Sequence, residues 1–250
     1  MKKTLLCHFY NEEYLLPWFL NHHKQIFDHG IMIDYHSTDR SVEIIKELCP
    51  TWDIVTSRNP NFQADTIDYE VQDIEKNIEG WRICLNVTEF LIGNYSILDD
   101  TPEQQLLLPS MFMVDCDKEV EVTPNLPLYK QKTDGFTYKQ NFAERRARSI
   151  HNMGVQYPIP GRHYSMYNTE ELVILYYGWS PFNKYTLARK LQIQTQIPLY
   201  DRQRNWGFHH ITNAETLTYR LENEFIPQCI DLTEELAYYV KKHEDFSIIL

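Results

Sequence analysis

The first hundred residues alternate short apolar runs with helical spacing, and this constrains the fold more than any other feature. Thr4 to Phe9 is an apolar run fit for a buried strand. Tyr14 to Phe27 places Leu16, Phe19, Leu20, Ile26 and Phe27 at helical spacing, with Pro17 tolerable only in the first turn. Gly30 breaks the chain before a second strand, Ile31 to Asp34. Asp39 or Ser41 can cap the next helix, where Ile44, Ile45 and Leu48 share a face and Pro50 closes it. Asp53 to Thr56, a polar helix over 64–78, and Trp81 to Leu85 continue the alternation. Short links between such elements predict a parallel sheet covered on both faces.

Beyond residue 100 the pattern changes. Leu106 to Val114, Glu119 to Val122, Leu128 to Lys132 and Leu172 to Tyr177 read as strands, and helices are expected over 183–194, 213–224 and 232–242. With 250 residues and no linker-like stretch, residues 1–100 and 101–250 are expected to be two halves of one domain.

Composition narrows the function. A net charge of −11 argues against a nucleic-acid partner, which calls for a basic surface. Local basic clusters at Arg145, Arg146 and Arg148, and at Arg189 and Lys190, suit either a small anion or a solvated helix face. Cys7, Cys49, Cys84, Cys116 and Cys229 are odd in number and lack paired spacing, so reduced thiols in a cytoplasmic protein are expected. No apolar run approaches the roughly 20 residues of a membrane helix.

There is no GxGxxG, no GxxxxGK[ST] and no GxSxG, which weighs against a dinucleotide dehydrogenase, a P-loop enzyme and a serine hydrolase. The adjacent pairs His22-His23 and His209-His210 are read as surface or hydrogen-bonded histidines, because sequence neighbours point apart. Open parallel sheets bind ligands beyond the carboxyl ends of their strands. Three polar groups fall there: Asn11-Glu12-Glu13, Asp34 to Asp39, and Asn86 to Glu89.

The run Cys7-His8-Phe9-Tyr10-Asn11-Glu12-Glu13-Tyr14, followed by Asp34-Tyr35-His36-Ser37-Thr38-Asp39-Arg40-Ser41, resembles the opening of family 2-like glycosyltransferases. The resemblance covers about 90 residues and implies a Rossmann-like GT-A fold, a mostly parallel sheet flanked by helices with a C-terminal acceptor-side subdomain. It implies a nucleotide-sugar donor, a UDP-sugar, and a glycan or other hydroxyl acceptor, with Asn11, Glu12, Asp34, Ser37, Asp39, Asn86 and Thr88 around the nucleotide.

The chain departs from that family at the metal motif. Asn86-Val87-Thr88-Glu89-Phe90 stands where relatives carry DADEF, and Leu175-Tyr176-Tyr177 where they often carry a His-Tyr pair. Hard cations want anionic oxygens, so Mn²⁺ or Mg²⁺ is left with Glu89 as a weak ligand and no cofactor is expected to be required. Arg162, Arg189 and Lys190 are expected to neutralise the leaving diphosphate instead.

For the base of an inverting transfer, Asp134, Glu170, Glu171, Asp201 and the His209-His210 pair are candidates, and Asp201 is preferred because Tyr200 and Trp206 flank it. Its competing reading is a helix N-cap. The alternative function is a catalytically inactive, nucleotide-sugar-binding relative of these enzymes; a nucleotidyltransferase is disfavoured for want of a glycine-rich basic loop.

Overall fold

The computed structural model describes residues 1–137, 148–152 and 167–249. Its first half alternates as expected: β1 (Lys3–Phe9), α1 (Leu16–His23), β2 (His29–Asp34), α2 (Ser41–Leu48), β3 (Asp53–Thr56), α3 (Ala64–Glu75) and β4 (Trp81–Cys84). Then follow β5 (Glu89–Gly93), α4 (Ile97–Asp100), β6 (Gln105–Leu108), β7 (Ser110–Val114), β8 (Asp134–Thr137), β9 (Arg148–His151), β10 (Tyr167–Asn168) and β11 (Leu172–Trp179). The chain continues through α5 (Lys184–Gln196), α6 (Leu199–Gln203), α7 (Ala214–Arg220), β12 (Ile230–Asp231) and α8 (Thr233–Ile249).

The fold is mixed α/β, two sheets flanked by helices, as the sequence predicts. The larger sheet runs β10-β6-β9-β4-β1-β2-β3, and its β4-β1-β2-β3 portion is parallel throughout. The smaller runs β12-β8-β7-β11-β5. Both sheets draw strands from each side of residue 100, so the two halves are interleaved.

Strand alternation divides the core. Leu5 and Cys7 of β1 face one way and pack with Phe19 and Leu20 of α1, while Leu6 faces the other way with Ile33 and Val71 of α3. Each fully buried leucine contributes about 1.5–3 kcal/mol. Gly30 is required by close approach, because a Cβ there would enter the ring of Trp52.

Several expectations are corrected. The run Leu106 to Val114 is two strands, broken at Pro109, which has no N–H for a ladder, and the two belong to different sheets. Glu119 to Val122 forms no strand, and the expected strand Leu128 to Lys132 is instead a 3₁₀ turn over Leu128–Lys130. Gln131 closes this loop, accepting from the Thr123 N–H at 2.8 Å and donating to the Thr123 carbonyl at 2.9 Å. The first helix is shorter than expected and the last longer, reaching Ile249. Among the described residues no helix is long and apolar enough to cross a membrane.

Candidate functional site

The parallel strands change direction of succession at β1: β2 and β3 lie on one side of it, β4 on the other. Ligands of open α/β sheets bind at such a switch point. A cavity of about 520 Å³ lies there, with walls that include His8, Tyr10 and Glu12 from the end of β1 and Asn86, Thr88 and Glu89 from beyond β4. That volume suits a nucleotide-sized molecule. Arg148 of β9, Tyr176 of β11, Arg189 of α5, and Asp201 and His210 further on complete it.

The loop after β1 is held by the loop after β2. Asn11 adopts a left-handed backbone, φ 49°, and its Oδ1 accepts from the Thr38 N–H at 2.7 Å and the Asp39 N–H at 3.3 Å. The Asn11 N–H donates to Ser37 Oγ at 3.0 Å and the Glu12 N–H to Ser41 Oγ at 2.8 Å. Asp39 accepts from the Glu13 N–H at 3.0 Å and the Ser41 N–H at 2.9 Å, and Asp34 from the Ser37 N–H at 2.9 Å. This net spends Asn11, Asp34, Ser37 and Asp39 on bracing and turns the Glu12 side chain into the cavity.

Glu12 meets Arg189, their atoms 3.2 Å apart and both side chains buried. Arg189 is placed by α5, whose cap Asn183 accepts from the N–H groups of Tyr185 and Thr186. Gln192 one turn on donates to the Tyr10 and Asn11 carbonyls at 3.2 and 2.8 Å, fastening α5 to the β1 loop. Burial raises the Glu12 carboxyl above its ordinary range, and the Arg189 charge opposes that rise. Lys190 lies off the cavity wall, its Nζ 3.9 Å from the centre of the Trp179 ring.

Across the cavity Glu89 is gripped by Arg148. The guanidinium Nε lies 3.1 and 3.0 Å from the two carboxylate oxygens and Nη2 2.9 Å from one of them. The Asn86 N–H adds a bond at 2.7 Å. His8 is pushed down to about 4, by burial first and then by the Arg148 charge, and so is neutral.

Among the buried polar atoms of this wall, His8 Nδ1, Glu12 Oε2 and Arg189 Nε have no hydrogen-bond partner among the described residues. The Arg189 Nε is an obligate donor and the Glu12 oxygen an acceptor. Buried groups of this kind are costly unless something satisfies them.

Among the described residues the donor set here is poor in free anionic oxygens. Both oxygens of Glu89 already carry a guanidinium, Asn86 and Thr88 are neutral, and no group of three acidic, histidine or cysteine side chains is placed to hold an ion among the described residues.

Of the residues singled out from sequence, Glu12, Asn86, Thr88, Glu89, Arg189 and Asp201 line the cavity together. Asn11, Asp34, Ser37, Asp39 and Lys190 flank it, while Arg162, Arg145 and Arg146 lie outside the described residues. Asp201 is 2% exposed and sits inside α6, whose N-cap is Pro198, so the capping reading of Asp201 is corrected. His210 is also on the wall, whereas Asp134, Glu170 and Glu171 are not. Sequence reasoning missed His8, although it lies within the first motif, and did not separate Arg148 from its basic cluster.

The molecule is thus an α/β protein with a cavity of mixed polar and apolar lining at the switch point of a parallel sheet. No family model matches the chain, and no curated protein does. Among solved structures it is similar to S. aureus TarS residues 1–349, at 16% identity over 45% of this chain and 36% of that one, TM-score 0.37. Glucosyl-3-phosphoglycerate synthase from Mycobacterium tuberculosis, in complex with Mn²⁺, UDP and glucosyl-3-phosphoglycerate, aligns at 13% identity over 48% of this chain and 47% of that one, TM-score 0.32. HddC from Yersinia pseudotuberculosis aligns at 11% identity over 72% of this chain and 95% of that one, TM-score 0.40. The chain thus spans about a third of the TarS segment. These distant likenesses lend no weight to the functional reading, which rests on the cavity.

Proposed function

We propose that the protein is a glycosyltransferase of GT-A type that moves a sugar from a nucleoside diphosphate, a UDP-sugar, to a hydroxyl acceptor with inversion and without a divalent ion. The observation that carries this reading is the complementary pair of unsatisfied buried atoms at the switch point, the Arg189 Nε donor and the Glu12 Oε2 acceptor. A sugar phosphate supplies both partners, since its phosphate oxygens accept and its hydroxyls donate.

In this reading the diphosphate lies between Arg189 and Arg148. It competes with Glu12 for Arg189, and since burial raises the Glu12 carboxyl above its ordinary range, the displaced carboxyl can take up a proton. Asp201 accepts the proton of the acceptor hydroxyl. The acceptor oxygen then bonds to the anomeric carbon as the bond to the diphosphate breaks, and UDP departs with its charge met by the guanidiniums. Asn86 and Thr88, where carboxylates would hold a metal, offer neutral bonds only.

The test is release of UDP from a panel of UDP-sugars in the presence and absence of chelator. Release that survives chelation is expected. If chelation abolishes release and Mn²⁺ restores it, Glu89 must leave Arg148 and ligate the ion. UDP binding with no release from any donor favours the inactive binding protein, a reading to which the commitment of Glu89 to Arg148 gives some footing.

A further inference from the structure

Residues 199–211 form part of the cavity rim. Asp201, Gly207 and His210 line the cavity. In the same segment Leu199, Tyr200, Trp206, Phe208 and Ile211 are exposed, five of the fourteen large hydrophobic side chains exposed among the described residues, and Tyr200 and Trp206 are in ring contact. So many exposed apolar side chains in one short segment point to a binding surface.

The backbone fixes this arrangement. Asn205 and Gly207, with φ of 57° and 68°, flank Trp206 in the left-handed region, and the Trp206 N–H donates to the Asp201 carbonyl at 2.9 Å. The residue that carries the cavity carboxylate therefore also anchors the exposed indole, which is 41% accessible; Phe208 is 67% accessible. A Cβ at Gly207 would come within 3.1 Å of Ile197, on the cavity wall, so the turn is packed as well as bent. The Arg204 guanidinium lies 3.5 Å from the centre of the Tyr200 ring, and Arg202 Nε donates to the Ile197 carbonyl at 3.0 Å.

We propose that this rim is an acceptor platform for an extended carbohydrate. The apolar C–H faces of its sugar units lie on Trp206 and Phe208, and its terminal hydroxyl reaches Asp201. The proposal rests on the transferase reading and adds the acceptor class to it. Sugar rings present apolar faces rimmed by hydroxyls, which suits aromatic rings beside polar side chains. An acceptor small enough to sit wholly in the cavity would leave the rim unused. An anionic membrane fits less well, because the net charge is −11 and both nearby arginines are engaged within the segment.

The experiment measures binding of a homologous series of neutral oligosaccharides, monosaccharide to hexasaccharide, to the wild-type chain and to a Trp206→Ala/Phe208→Ala variant. UDP calorimetry and a thermal melt are run on the same samples. Affinity should rise with chain length in the wild type, and the variant should lose about tenfold on the longest chain while keeping its melt and UDP affinity. No length dependence, or an equal affinity in the variant, overturns the proposal. So does binding to phosphatidylglycerol vesicles that the variant loses while no oligosaccharide binds. A wild-type chain that binds the oligosaccharides and ignores UDP leaves the platform standing and contradicts the transferase reading instead.

Discussion

Asp201 shows how little a residue's identity says before its surroundings are known. In sequence it is one acid among several in the second half; in the fold it is 2% exposed inside α6 and faces the same cavity as Glu12 and Arg189. Asp201→Asn keeps the side chain's shape and removes its capacity to take a proton. The expected outcome is a kcat lower by about 10²- to 10⁴-fold with UDP affinity and melting temperature unchanged. Substantial residual turnover in steady-state assays would move the base elsewhere, with His210 next in place.

The same scale shows what was legible in the chain. Glu12, Asn86 and Glu89 could be found because a strand end is a local feature and ligand sites follow strand ends. Arg148 could not be singled out, since it reaches Glu89 only because β9 inserts antiparallel between β4 and β6. Asp34 and Asp39 looked like ligand groups for the reason they make good braces: short acids after strands bind nearby N–H groups.

Among the elements, α1 is the most deeply buried helix of the first half, and its histidine pair is hydrogen-bonded and not at the surface. It buries Leu16, Trp18, Phe19, Leu20, His22 and His23, and so has almost no solvent face. His22 Nε2 lies 2.7 Å from the Leu91 carbonyl, His23 Nδ1 2.9 Å from that of Phe19, and His243 of α8 stacks on His22 with its Nδ1 2.8 Å from the Tyr95 hydroxyl. Burial is the main cause that holds all three neutral: His22 well below its usual range, His23 at about 3, His243 at about 4. Glu244 raises His243 and Lys130 lowers it, both less than burial does.

Since these folded values lie below 6.5, the unfolded chain binds more protons there. Stability is therefore full above that pH and is lost as pH falls from 6.5 towards about 4. His23 and His243 each cost about 1.4 kcal/mol per pH unit, down to about 3 for His23 and about 4 for His243. Urea unfolding of the wild type and of His243→Phe as a function of pH checks this: the variant's stability should fall less steeply, by about one histidine's share, and equal slopes would contradict it.

Elements also show where periodicity misleads. β1 was readable because burial on both faces makes most of it a continuous apolar run, whereas β3, at the sheet edge, is largely exposed. Pro109 hides inside one such run, yet it sends β6 and β7 to different sheets. Glu89 to Gly93 is buried at every position as β5, but its first residues read equally well as motif and as strand.

At the scale of the whole molecule, two sheets share strands from both halves of the chain and leave a cavity where the parallel strands reverse their order. Around it, guanidiniums from β9 and α5 stand beside a stretch after β4 whose one carboxylate, Glu89, is already bonded to Arg148. In the proposed function, protein cations in place of a metal recognise a diphosphate in this cavity. Calorimetry of UDP against uridine in chelator, for the wild type and for a Glu12→Gln/Arg189→Gln pair that leaves no lone buried charge, tests it most directly. The wild type should bind UDP at least about tenfold more tightly than uridine without metal, and the paired variant should lose most of that difference. Equal affinities for UDP and uridine in chelator, with a preference for UDP appearing only on addition of Mn²⁺, would contradict it.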